Sequence, residues 1–297
     1  MISIAEQINL FNQEPERMHK ALVPGYHIDE IDIFDLKIDV MPSGFLCLDD
    51  FMFLKKSRSE LIVVGGRPSH GKSAFMFQIA AQVATYATVH VFSLEMDKES
   101  ILTRLVAPII NRPIQAIQRG VVNEAELTKA KEGLKSLKYI VDDRGGLSVD
   151  ELCDAARIRA KRDNTSLIVV DYLQLLANSD SSLNRAVEIG RITKCLKSLA
   201  KELKIPVIIG SQLNRQAEQR GREGGKPCLS DLMESGAIEA DADVVLLIQN
   251  SSRYNGLRQG EIDLVIAKNR NGKCGEIVLG FNDAQTEFYE IEGQVGI

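Results

Sequence analysis

The sequence predicts an α/β protein with a mainly parallel central sheet flanked by helices and a C-terminal β-hairpin. Three observations carry that expectation. Five short apolar runs rich in β-branched residues recur: LIVV at 61–64, VHVF at 89–92, LIVV at 167–170, VII at 207–209 and VVLLI at 244–248. Their near-continuous apolarity suits strands covered on both faces rather than a half-exposed sheet. Helical patterns lie between them, which is the alternation of an α/β plan. After residue 260 the pattern changes to EIDLVIAKNRNGKCGEIVLGF, two strand-like runs joined around Asn271-Gly272, the signature of a hairpin.

Taken in order, residues 1–42 are polar, interrupted by Pro15 and Pro24 and without a core of their own. They read as an N-terminal arm with one helix over 3–20, and 43–297 as a single domain. Behind the first apolar run, the glycine turn GGRPSHGKS at 65–73 leads into a helix over 72–84. A second helix over 148–162 opens with Ser148 and Glu151 in a capping-box arrangement, and a third amphipathic stretch covers 185–203. The hydrophobic content of 44% supports one large core. The formal charge of −5 excludes a globally basic nucleic-acid coat, so any such contact must be local. Five scattered cysteines (Cys47, Cys153, Cys195, Cys228, Cys274) without a CxxC pair read as free thiols rather than disulfides or zinc ligands. No stretch has the length and apolarity of a signal peptide or membrane span, so a soluble, cytoplasmic protein without membrane contact is expected.

Gly66-Arg67-Pro68-Ser69-His70-Gly71-Lys72-Ser73 fits G-x-x-x-x-G-K-[ST] in full, between a strand and a helix. In such a turn backbone N–H groups curl around phosphate, Lys72 reaches the outer phosphate oxygens, and the Ser73 hydroxyl can take Mg²⁺ beside Ala74 at a helix N-terminus. A glycine turn of no function is the alternative. His70 reads as a spacer with its side chain facing outward. Ligands of open α/β sheets bind at the carboxyl ends of the strands. Those ends carry Asp171, placed to order a magnesium ion; Glu95, a candidate base for an attacking water; and Gln212, able to donate and accept and so to sense a terminal phosphate. Surface positions are the competing reading for Glu95 and Gln212. Together the three point to ATP hydrolysis with Mg²⁺.

The series RPSHGKS, FSLEM (92–96), VDYLQLL (170–176), SQLNRQAEQR (211–220), SDLMESGAIEADADVV (230–245) and KNRNGKCG (268–275), in this order, resembles the motifs of the DnaB-type hexameric replicative helicases over about Pro42 to Asn282. The resemblance implies a RecA-like P-loop ATPase fold, a homo-hexameric ring, ATP hydrolysis at subunit interfaces and 5′ to 3′ movement on single-stranded DNA. It makes Lys72 and Ser73 phosphate and metal ligands, Glu95 the catalytic carboxylate, Asp171 the second metal residue and Gln212 the link between phosphate and DNA loops. Lys268 and Arg270, two apart on a strand end, match the family's paired cations that reach into a neighbouring subunit's site, Arg270 as arginine finger; without the motif they would read as a solvated hairpin tip.

Two channel loops are expected on the DNA side, near 177–186 and 213–237. Arg185, Arg215, Arg220, Arg222 and Lys226 supply local charge, and Glu234, Ser235 and Gly236 a backbone contact. A surface loop with solvated charges is the alternative. Neither loop is aromatic, so tracking of the backbone without base stacking follows. Met233 departs from the Arg that many members carry there. Full-length members also have an N-terminal domain of roughly a hundred residues that meets primase, which 42 residues cannot supply; the arm is then a linker helix. Helicase loader and primase complete the candidate partners, in a bacterial or phage-infected cytoplasm. The competing function is a RecA-fold ATPase that grips DNA or a partner without unwinding; a small-molecule phosphotransferase is a third, against which the distant Lys268/Arg270 pair argues.

Overall fold

The computed structural model describes residues 40–291 apart from Ser57, 177–184, Glu234 and 256–257. The expected helix over 3–20 and all but the end of the first channel loop therefore lie outside the described residues. In chain order the elements are β1 (Val40–Met41), α1 (Leu46–Asp49), β2 (Leu54–Lys55), β3 (Leu61–Gly66), α2 (Lys72–Ala84), β4 (Thr88–Ser93), α3 (Lys98–Ile110), α4 (Ile114–Gln118), α5 (Glu124–Lys135), β5 (Tyr139–Asp142), α6 (Val149–Asp163), β6 (Thr165–Asp171), α7 (Arg185–Leu203), β7 (Val207–Gln212), α8 (Arg215–Arg222), α9 (Ser235–Asp241), β8 (Val244–Gln249), α10 (Ser252–Asn255), β9 (Glu261–Asn269), β10 (Gly275–Asn282) and β11 (Glu287–Glu290).

Nine of the strands form one sheet in the order β11-β10-β9-β8-β3-β7-β6-β4-β5. It is parallel from β8 to β5 and antiparallel from β8 to β11. All five apolar runs are strands, and the hairpin is β9–β10. Every residue of β3, β6 and β8 is buried, as expected of strands with a helical layer on each face. One apolar layer packs α2 against the sheet, and the other packs α6 and α7 against its opposite face. Helix α6 starts where Ser148 accepts from the Glu151 amide while Glu151 accepts from the Ser148 amide at 2.8 Å, and Asn164, at φ 51°, ends it. Helices α2 and α7 keep the boundaries that the sequence pattern sets.

Several elements go beyond the sequence reading. Residues 98–135 form α3, α4 and α5, and β5 and β11 extend the sheet at its two edges. Strand β11 is tied to α2 by a two-bond clip: Gln78 Nε2 donates to the Phe288 carbonyl at 2.7 Å, and the Phe288 amide donates to Gln78 Oε1 at 2.8 Å, across 210 residues of sequence. Phe75 packs beside it, its ring 5.3 Å from Phe288 and 5.5 Å from Phe45.

The segment 213–237, expected as a channel loop supplying local charge to DNA, is largely ordered as α8, a 3₁₀ turn (Leu229–Asp231) and the start of α9. Its charges are internally paired: Arg220 with the fully buried Asp231, Arg222 with Glu218 at 2.8 Å, and Lys226 with Glu276. The acidic partners lie in and around the same segment, so the arginines fold back on it instead of projecting freely. Among the described residues no helix is long and apolar enough to cross a membrane.

Candidate functional site

Strand β3 runs into the glycine turn, and α2 starts at its end. Gly71 caps α2 with φ 91°, and a Cβ there would lie 2.8 Å from Phe288 Cζ, so both backbone angle and space demand glycine. No side chain caps this helix, which leaves its first N–H groups facing the turn, the arrangement that binds anions.

Lys72 Nζ donates to Asp171 Oδ1 at 2.8 Å and lies 4.0 Å over the Tyr172 ring. Asp171 is fully buried at the end of β6, and its Oδ2 has no hydrogen-bond partner. Space for the lysine is made on the neighbouring strand: a Cβ on Gly210 would lie 2.8 Å from Lys72 Nζ. Sequence reasoning missed Gly210, because a glycine inside an apolar run shows no sign of what it faces. Ser93 on β4 pairs in register with Asp171, and the Leu94 amide donates to the Asp171 carbonyl at 2.8 Å, so exposed Glu95 lies at the same strand edge. Gln212 ends β7, in register with Gly66, and its amide donates to Gln174 Oε1 at 3.3 Å. The residues expected at strand ends thus share one edge of the sheet. Arg104 of α3 joins them: burial holds its guanidinium below the usual arginine range, against the attraction of Asp171 and Glu95. A lone arginine in a helix outside every motif gave no sequence signal.

Two residues of the turn act otherwise than expected, Arg67, taken up below, and His70. His70 faces inward: it is 5% exposed, and its Nδ1 accepts from the Asn250 amide at 3.2 Å. The turn lies between β7 and β8, so a side chain pointing from it toward β8 meets protein. Burial pushes the His70 pKa down to about 4, helped by Arg253 and Arg67. His90, its ring 4.1 Å from that of Phe92 and tilted 39° to it, is likewise pushed down to about 4, chiefly by burial. Both rings are neutral when folded, and unfolding returns them to a pKa near 6.5, so the unfolded chain binds more protons between those values. Stability is therefore expected to fall as pH drops from 6.5 towards 4, by up to ~3 kcal/mol for each ring. Denaturant titrations at pH 7 and 4.5 measure the loss, and a His90→Phe variant should lose less.

Lys268 and Arg270 lie at the other edge of the sheet. Lys268 pairs with Val245 and Gly66 with Ile248, three residues apart on β8, or about 10 Å along the strand. Both cations turn the same way, onto the C-terminal end of α9: Lys268 donates to the Ala242 carbonyl at 2.7 Å, and Arg270 to the Ala240 carbonyl at 2.6 Å and Asp243 at 3.2 Å. The structure does not bring this pair to the chain's own glycine turn.

Of the nucleic-acid candidates, Arg185 donates to Glu188 at 2.5 Å and to the Gln174 carbonyl at 2.8 Å. Arg215 is exposed at the start of α8, Gly236 is exposed on α9, which Ser235 opens, and Glu234 lies outside the described residues. The exposed side of Met233 adds no charge beside them.

Strand order, glycine turn and convergent carboxylates define a RecA-like phosphate-loop fold. The model of the DnaB-like helicase C terminal domain matches residues 40–290, and the chain belongs to that family. It is 37% identical over 286 residues to the replicative DNA helicase DnaC of Bacillus subtilis, covering 93% of this chain and 62% of that protein. It is 36% identical over 314 residues to DnaB of Haemophilus influenzae, covering 99% and 65%. The chain thus spans under two thirds of the length of these relatives. Among solved structures, an ATPase domain determined on its own superposes with TM-score 0.81 at 30% identity, covering 91% of this chain and all of that one. A DnaB-like replicative helicase studied with its primase interactions gives 0.81 at 31%, covering 98% and 75%.

Proposed function

We propose that the chain is the motor of a replicative DNA helicase: a subunit of a homo-hexameric ring that hydrolyses ATP at its interfaces and moves 5′ to 3′ on single-stranded DNA. The observation carrying this reading is the single strand edge that holds Lys72, Asp171, Glu95 and Gln212 around the glycine turn, in a chain of this family. Lys72 and the N–H groups of 66–74 hold the phosphates. A buried Asp171 oxygen without a partner fits Mg²⁺, with the Ser73 hydroxyl as the second ligand the motif supplies, and the ion would supply charge neutralisation on the phosphate oxygens. Glu95, exposed at that edge, takes the proton of the attacking water, and Arg104 holds it and Asp171 in a positive field. Gln212 responds to the terminal phosphate. Lys268 and Arg270 serve a neighbour's site. DNA is held near α8 and the start of α9 by Arg215 and by the backbone at 234–236, with Arg185, Arg220, Arg222 and Lys226 contributing as their internal pairs exchange. The 1–42 arm joins neighbouring subunits; primase and a helicase loader are the further partners, in the cytoplasm.

Glu95→Gln keeps the shape and removes the base. It is expected to bind ATP normally and to hydrolyse it at least ~10²-fold more slowly, with and without single-stranded DNA. A coupled-enzyme assay alongside binding of a fluorescent nucleotide checks this; normal turnover would remove Glu95 from the mechanism, and no stimulation of the wild type by DNA would remove the helicase reading.

A further inference from the structure

The glycine turn contains an arginine whose side chain does not serve the turn. Arg67 Nη1 donates to the Leu213 carbonyl at 3.0 Å and Nη2 to Glu218 Oε2 at 3.0 Å. Its side chain is only 17% exposed, and Nε is buried without a partner, so both ends of the fork are engaged within the protein, on the residue that follows β7 and on α8. Backbone follows the same route, since the Leu213 amide donates to the Gly66 carbonyl at 3.3 Å.

From Leu213 the connection continues to the turn before α9. Leu213 and Leu232 form an antiparallel bridge, the Asn214 amide donates to the Asp231 carbonyl at 2.7 Å, and the Met233 amide to the Gln212 carbonyl at 3.2 Å. Asp231 in turn holds Arg220, close to Glu218 on α8. A shift of Arg67 therefore moves α8 and the 231–233 turn with it, or breaks two charge-assisted bonds in a fixed fork.

We propose that Arg67 is a positioning residue, a strap through Glu218 and Leu213 by which nucleotide in the glycine turn sets the posture of α8 and the 231–233 turn on nucleic acid. This rests on the motor reading above, and it assigns the arginine a partner inside the protein where the motif alone counts it among the nucleotide ligands. Glu218 is a third exposed and is shared with Arg222, so the pair is a weak source of stability; its two-point geometry is what a strap requires.

The test uses Glu218→Gln, which keeps the shape and removes the charge, and Glu218→Ala. Three quantities are measured: ATP turnover with and without oligo(dT), affinity for a fluorescent ADP analogue, and oligo(dT) affinity with a non-hydrolysable ATP analogue against ADP. Basal turnover and ADP affinity should stay unchanged, while DNA stimulation falls on the order of fivefold or more and the difference in DNA affinity between nucleotide states shrinks in step. The difference, not DNA affinity itself, is the readout, because removing Glu218 also frees Arg222. Full stimulation in both variants, with a stimulated wild type, overturns the strap alone. Basal turnover falling in parallel with stimulation overturns it too, since that marks a general structural role. A wild type without DNA-stimulated turnover overturns both the strap and the motor reading.

Discussion

Lys72→Ala is expected to abolish nucleotide binding and turnover and, in addition, to destabilise the fold by ~3–5 kcal/mol. The second effect comes from the partner left behind. Asp171 is fully buried, and Lys72 is the hydrogen-bond donor to its Oδ1, Oδ2 having none. Removing the lysine leaves a buried carboxylate at the end of β6 without its hydrogen-bonded cation, and breaking a buried pair on one side costs more than the pair contributes. The double variant Lys72→Ala/Asp171→Asn separates the two roles. It should regain most of the stability, because the charge is gone, and regain no turnover, because phosphate still lacks its cation. Urea titrations and nucleotide binding on the three proteins decide it; a single variant as stable as the wild type would mean that water or another cation already serves Asp171.

Arg270→Ala is expected to bind nucleotide yet lose on the order of 10³-fold or more in turnover, the range of arginine fingers. The sheet register puts this residue about 10 Å or more along the strand from the chain's own glycine turn, on the opposite edge, so an effect of that size requires a neighbour. Activity of the wild type should then rise steeply with protein concentration as subunits associate. In the isolated chain Arg270 is 47% exposed and rests on the Ala240 carbonyl and Asp243, contacts that the proposed role would have it exchange for phosphate at an interface. Their loss should cost only ~1 kcal/mol, which keeps the variant folded. Mixing supplies the decisive arm. Lys72→Ala subunits retain a finger and Arg270→Ala subunits retain a phosphate loop, so mixed rings contain some complete interfaces and recover part of the ATPase. Mixtures shown by native mass spectrometry to contain both subunits, yet wholly inactive, would refute the trans assignment.

Where side chains are dictated by burial on both faces, the chain announced itself. The five apolar runs became β3, β4, β6, β7 and β8, and Ser148 and Glu151 marked the first turn of α6. Elements that bury little did not. All four residues of β5 are only half-buried, and a polar helix such as α5 contributes Ala130 alone to a buried cluster, so neither leaves the periodicity that reveals an element. At the site, the positions of Lys72 at the start of α2 and Asp171 at the end of β6 were legible from the motifs. The directions of His70 and Arg67 were not, because a motif specifies residue types and not which neighbouring strand each side chain meets. The charges of 213–237 show the same limit: counted along the chain they are a basic loop, but in three dimensions Asp231, Glu218 and Glu276 have already claimed Arg220, Arg222 and Lys226.

The Gln78–Phe288 clip bears on the order in which the protein matures during synthesis. Gly71 is shaped by the Phe288 ring behind it, and the helix it caps is fastened to the Phe288 backbone, across 210 residues of sequence. A ribosome adding roughly 5–20 residues per second needs about 10–40 s to cover that span. Throughout that interval the glycine turn exists as sequence without its backing strand, and closing so long a loop comes late in folding. The clip therefore cannot form until β9, β10 and β11 have emerged, by which point the segment carrying Arg270 has been synthesised as well.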